Sequence, residues 1–217
     1  MKKLYILLII LLGCNSFDLL EEQGGPVDYL QSVSEGWYYF QRGTEKSGED
    51  ALDEFKKADE YFKNALGSQT VPGYAAAYIG LGWNQMYWGN NSTLSGIINN
   101  ETRDSLKISS LEYLNLAKNE YLSELEFGDD EVLNMFSGLA YANSFLAKHR
   151  NDETSDDLTQ ISIEESQSLI DFCDLNGIEF EFIYHTEIDM NDIYKLRVQN
   201  YLRIGEFDNA RNEIPNI

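Results

Sequence analysis

Small and large side chains recur along the chain at offsets of four and then three positions, the spacing that sets three residues on one face of an α-helix. The triplets Ala51–Phe55–Ala58, Ser110–Leu114–Ala117, Ser166–Ile170–Cys173 and Ala210–Ile214–Ile217 all carry it, each with a large centre. A second helix-compatible pattern precedes each triplet: Gly36, Tyr39 and Gly43; Tyr78, Leu81, Gly82 and Gly89; Phe136, Leu139, Ala140 and Ala147; Tyr194, Val198, Tyr201 and Gly205. Small residues let neighbouring helices approach and large ones fill the space between them. The pattern predicts an all-α fold of about four helix pairs. The spans leading into the second and third triplets are long, which predicts inserted loops over Asn90–Lys107 and Lys148–Ile161. Pro215 falls inside the last triplet and shortens the final helix. Ile178–Tyr184 partly alternates apolar and acidic residues, as an extended segment does. It reads as an ordered linker lying across the helices, with strand content close to nil.

The clearest unit is Tyr194–Ala210, where a helical run reaches Gly205, turns through Glu206–Asn209 and restarts at a small residue. It resembles the tetratricopeptide repeat, a helix–turn–helix unit recurring at about 34 residues. The resemblance implies a right-handed solenoid whose first helices line a concave groove for a protein or peptide partner. Carried over position by position, that groove falls on Trp37, Trp83, Tyr141 and Gln199, with Phe40, Met86, Tyr87, Ser144, Phe145, Leu202 and Arg203 beside them. A Trp–Trp–Tyr row suits an extended peptide or the face of a sugar ring. The same rings equally suit packing between helices, and the long loops are placed to fold over the groove.

The N-terminus reads as an address. Lys2 and Lys3 precede a wholly apolar run, Leu4–Leu12, too short to span a bilayer. Leu11-Leu12-Gly13-Cys14 resembles a bacterial lipobox, although Leu12 is bulkier than the residue often found there. The resemblance implies a lipoprotein signal peptide over 1–13, lipidation of Cys14, a tether over 14–27 and the repeat domain over 28–217. Asn15 in place of Asp implies the outer membrane, facing the periplasm, with the inner membrane and the cell surface left open.

Charge and chemistry narrow the function. Sixteen basic and 37 acidic residues give a formal charge of −21, which repels nucleic acid and anionic lipid headgroups. With Cys14 taken by lipid, Cys173 has no disulfide partner and reads as a buried core residue. His149 reads as a solvent-facing helix-end residue and His185 as a local hydrogen-bonding group. Asp129-Asp130-Glu131 and the acids at 152–157 read as solvated loops. No metal-ligand motif, phosphate loop or nucleophile elbow is present, so neither an enzyme nor a cofactor is expected. The expected function is a non-enzymatic, lipid-anchored scaffold or adaptor of the bacterial envelope. The alternative is a glycan- or nutrient-capture lipoprotein using Trp83, Trp88 and the Asn90–Asn100 loop.

Overall fold

A computed structural model of the protein describes residues 28–67, 73–123, 127–150, 152–184 and 188–217. Cys14, the signal peptide, the tether and His185 lie outside the described residues. Eight α-helices occur among them: α1 (Tyr29–Glu45), α2 (Gly48–Leu66), α3 (Ala75–Asn90), α4 (Asn100–Leu122), α5 (Asp129–His149), α6 (Thr154–Asn176), α7 (Met190–Arg203) and α8 (Phe207–Glu213). There is no strand among the described residues, only isolated bridges at Ser95–Ile98 and Glu181–Asp189. The protein is all-α.

Consecutive helices pair as α1–α2, α3–α4, α5–α6 and α7–α8, and each pair stacks on the next. The odd-numbered helices also touch one another in sequence, forming an inner layer behind which the even-numbered helices lie. The first three triplets form the seam between layers: all nine of their side chains are buried. Phe55 and Leu114, the large centres of the first two triplets, and Phe62 enter hollows left by glycines. Phe55 lies against Gly43, Phe62 against Gly36 and Gly80, and Leu114 against Gly82 and Gly138. A methyl group added at Gly80 would overlap the Phe62 ring, and Phe62 has no free volume because it is fully buried. Gly80→Ala is therefore expected to destabilise the protein by about 1–3 kcal/mol. Urea unfolding measures this, and an unchanged midpoint would mean that α2 and α3 do not meet there.

Small polar groups add cross-links between the layers. Asn84 Nδ2 donates to the Phe55 carbonyl at 3.0 Å, Ser110 Oγ to the Gly82 carbonyl at 2.8 Å, and Asn200 Nδ2 to Ser162 Oγ at 2.8 Å. Each satisfies a buried polar group that would otherwise cost roughly 1–3 kcal/mol.

Three expectations change. The stretches read as inserted loops are in part helix: α4 starts at Asn100 and α6 at Thr154, leaving a nine-residue connection over 91–99 before α4 and a shorter one before α6. Asn99 Oδ1 caps α4 by accepting from the Thr102 N–H at 2.7 Å, and Asp152 Oδ1 accepts from the Thr154 N–H at 3.0 Å. The added turns precede the triplets and so carry few core residues, which is why the apolar pattern missed them. The acids Asp129-Asp130-Glu131, Asp156 and Asp157 are first-turn residues of α5 and α6, where carboxylates oppose the positive helix end. The fourth triplet does not form a seam. Ala210 is buried, but Ile214 and Ile217 are exposed, because α8 ends at Glu213 and Pro215 lies in a 3₁₀ turn.

Candidate functional site

The inner layer presents one face of α1, α3, α5 and α7, and a segment of the chain's own sequence lies across it. Helix α6 ends at Gly177, whose φ of 64° is the left-handed conformation that lets the backbone leave the helix sharply. The chain then runs without helix over 178–182 and turns at Ile183 and Tyr184. Phe180 and Phe182 are buried, while Glu179, Glu181 and Ile183 are exposed. The Phe182 N–H donates to the Ile188 carbonyl at 3.0 Å, pinning the segment as it returns towards α7.

Phe182 stacks on Trp83 with centroids 4.2 Å apart and meets Trp37 at 6.0 Å and Phe40 at 6.2 Å. Tyr184 lies flat on Trp37 at 3.9 Å with an interplanar angle of 1°. The edge-on contacts of Phe182 with Trp37 and Phe40 are a geometry aromatic pairs favour. Trp37, Phe40, Trp83 and Met86 are consequently buried. Trp83 Nε1 donates to the Asn134 carbonyl on α5 at 2.8 Å, so the indole also ties two inner helices together. A fully buried Trp83 offers no face to a sugar ring.

The remaining groove positions differ. Tyr87, Tyr141, Phe145 and Arg203 are half-buried and Gln199 is exposed. Ser144 is buried, donating to Asn200 Oδ1 at 2.9 Å, and Leu202 is exposed. The aromatic rings form a continuous track: Phe40–Tyr87 at 5.3 Å, Tyr87–Trp83 at 5.9 Å, Trp83–Tyr141 at 6.0 Å and Tyr141–Phe145 at 5.8 Å. At its end the Lys148 ammonium sits over the Phe145 ring, 5.4 Å from its centroid. Burial pushes the Tyr141 phenol well above its usual range, with Asp192 and Asp189 adding to the effect. Beside the linker, Trp37, Tyr38, Gln41 and Tyr184 help to line an open pocket of about 320 Å³.

Little of this is arranged for bond-making. Burial raises the Cys173 thiol, away from the reactive thiolate. Burial, then the positive charge of Lys107, lowers His149 at the end of α5. No group of three or more His, Cys, Asp or Glu side chains that could hold a metal ion occurs among the described residues. No helix among them is long and apolar enough to cross a membrane.

Tyr29 supplies a titratable marker of the first helix pair. Its hydroxyl accepts from the Ala77 N–H at 3.4 Å, and burial pushes its pKa up to about 12. An unfolded tyrosine titrates near pH ~10. Its contribution to stability is therefore complete below about pH 10 and is lost as pH rises towards the folded value. Tyr29→Phe is expected to lose less stability than the parent between about pH 9 and pH 11. Urea midpoints at the two values decide this, and parallel losses would remove Tyr29 as a source.

The positions that the sequence pattern assigned to a groove lie on α1, α3, α5 and α7, but the pattern missed Phe182 as a cover over Trp37 and Trp83. The alternation of Ile178–Tyr184 was the available signal. By its fold and by this self-covered inner face, the chain is an all-α protein of stacked helix pairs. Comparison with protein-family models, with curated proteins and with solved structures finds no match.

Proposed function

We propose that this protein is a non-enzymatic scaffold or adaptor that binds an extended segment of a polypeptide partner on the inner face of a tetratricopeptide-like solenoid. Tethered by lipid at Cys14 in the bacterial envelope, it would raise a partner's effective concentration at the membrane. The observation that carries the reading is the seat of Ile178–Tyr184, a non-helical segment lying across helices with the rings of Phe182 and Tyr184 stacked on Trp83 and Trp37. A surface that accepts such a segment from its own chain has the relief and chemistry to accept one from another. Tyr141, Phe145, Gln199 and Arg203 are the groove positions that remain for a partner beside the linker.

Crosslinking in native membranes, followed by purification, tests this with Cys14→Ala as the unanchored control. One envelope protein should be enriched in a saturable manner and lost when Phe145 is changed to Ala. Enrichment of no protein, or enrichment unchanged by Phe145→Ala, would count against the groove. Detergent-phase partitioning of the parent but not of Cys14→Ala checks the anchor separately.

A further inference from the structure

The inner face is divided into a covered half and an open half, and their chemistries differ. The covered half is aromatic and holds Phe182 and Tyr184. The open half carries the half-buried rings of Tyr141 and Phe145 and ends among cations. Lys148 lies on Phe145, and Arg203 reaches the same turn of α5. Its Nη1 donates to Asn200 Oδ1 at 3.1 Å and stands 3.5 Å from both the Ser144 carbonyl and Thr159 Oγ1. Ser144 is the residue one helical turn before Lys148. Across the end of α5, Lys107 is buried with only the exposed carboxylate of Asp104, 3.5 Å away, as a counter-charge.

A chain with 37 acids and 16 bases has carboxylates to spare, yet neither Lys148 nor Arg203 has one within ion-pair distance among the described residues. Partial desolvation and the charge of Arg203 hold the Lys148 ammonium below the usual lysine range, and desolvation lowers Arg203. The C-terminal ends of α3, α5 and α7 offset some of this charge, at about half a unit each. They leave the half-buried Arg203 guanidinium with uncharged acceptors only, although guanidinium is shaped for two-point pairing with a carboxylate.

We propose that the open half of the inner face, from Phe145 to Lys148 and Arg203, docks a segment of a partner polypeptide that alternates aromatic and acidic residues. This rests on the polypeptide-binding reading above and names the partner's chemistry. The rings receive the partner's aromatic side chains, as Trp83 receives Phe182, and the cations receive its carboxylates. Ile178–Tyr184, with Glu179 before Phe180 and Glu181 between Phe180 and Phe182, is a segment of that composition already seated on the adjoining surface. The net charge of the protein does not prevent the approach, because at physiological salt charges beyond ~8 Å are largely screened and the local cations dominate.

Fluorescence anisotropy on the full chain tests it with a labelled Glu-Phe-Glu-Phe-Glu-Tyr peptide, its Gln-for-Glu counterpart, and anionic phosphatidylglycerol vesicles. The acidic peptide should bind about tenfold or more tightly than the neutral one. Lys148→Gln with Arg203→Gln should abolish that difference. Lys148→Gln alone, an exposed site, should remove part of the difference and keeps the test valid where the double variant fails to fold. Equal binding of both peptides would overturn the carboxylate site and leave the polypeptide reading standing. Binding of neither peptide would overturn both, and binding to vesicles alone would make the cations a membrane contact instead.

Discussion

Phe182→Ala is expected to cost about 3–5 kcal/mol of folding stability, the range for truncating a fully buried aromatic. Phe182 has no solvent exposure and touches the rings of Trp37, Phe40, Trp83 and Tyr184. Its removal leaves a cavity bounded by side chains from α1 and α3, which cannot both close in because Trp83 is held to the Asn134 carbonyl. Urea unfolding gives the magnitude, and tryptophan emission reports the cause. Water reaching Trp37 and Trp83 should shift their emission to the red in the native state. Phe182→Leu keeps most of the volume and should recover more than half of the loss. A cost below about 1 kcal/mol with unchanged emission would mean that the segment does not sit on the inner face.

Arg197→Ala is the second large effect, at about 3–5 kcal/mol. The guanidinium is buried and has every direction filled. Nε and Nη2 donate to Glu213 Oε1 at 2.8 and 2.6 Å, Nη1 to the Ile163 carbonyl at 3.1 Å and Ser166 Oγ at 3.2 Å, and Nη2 to the Tyr201 hydroxyl at 3.1 Å. Truncation leaves the Glu213 carboxylate, only 12% exposed, without its counter-charge. It also unfastens α8, whose sole buried residue is Ala210. Arg197→Met combined with Glu213→Gln removes both charges together and should be milder than Arg197→Ala. Equal losses in the two variants would show that packing, not the orphaned charge, sets the cost.

The local faces of the helices were legible in the residues because a seam position must be small or large for steric reasons that act over one turn. Ala51, Phe55 and Ala58 and their two counterparts reveal the layer they bury without knowledge of the partner helix. Two features were not legible for the opposite reason. The added turns of α4 and α6 are polar, with Asn99 capping α4 and Asp152 accepting from the Thr154 N–H at the start of α6, so their helicity leaves no apolar signature. The cover over Trp37 and Trp83 is a long-range choice. The row of rings announces an apolar hollow, and whether a partner, a loop or the chain's own linker fills it depends on where residue 182 lies in space. The fourth triplet failed for a third reason. The spacing was present, but Pro215 removes the backbone donor that a continuing helix needs.

The linker also decides the order in which this molecule can be completed. In an ordinary stack each repeat depends only on its neighbours, and the first units can finish while later ones are still being made. Here the first two pairs are closed by Phe182 and Tyr184, which follow the third pair in the chain. At ~5–20 residues per second of synthesis, the aromatic face of α1 and α3 stands open for on the order of ten seconds before its cover emerges. The closing step joins residues separated by most of the chain, and such pairings form slowly. An exposed row of rings during that interval is a binding site for a chaperone, or for a second nascent copy, that the finished protein no longer presents.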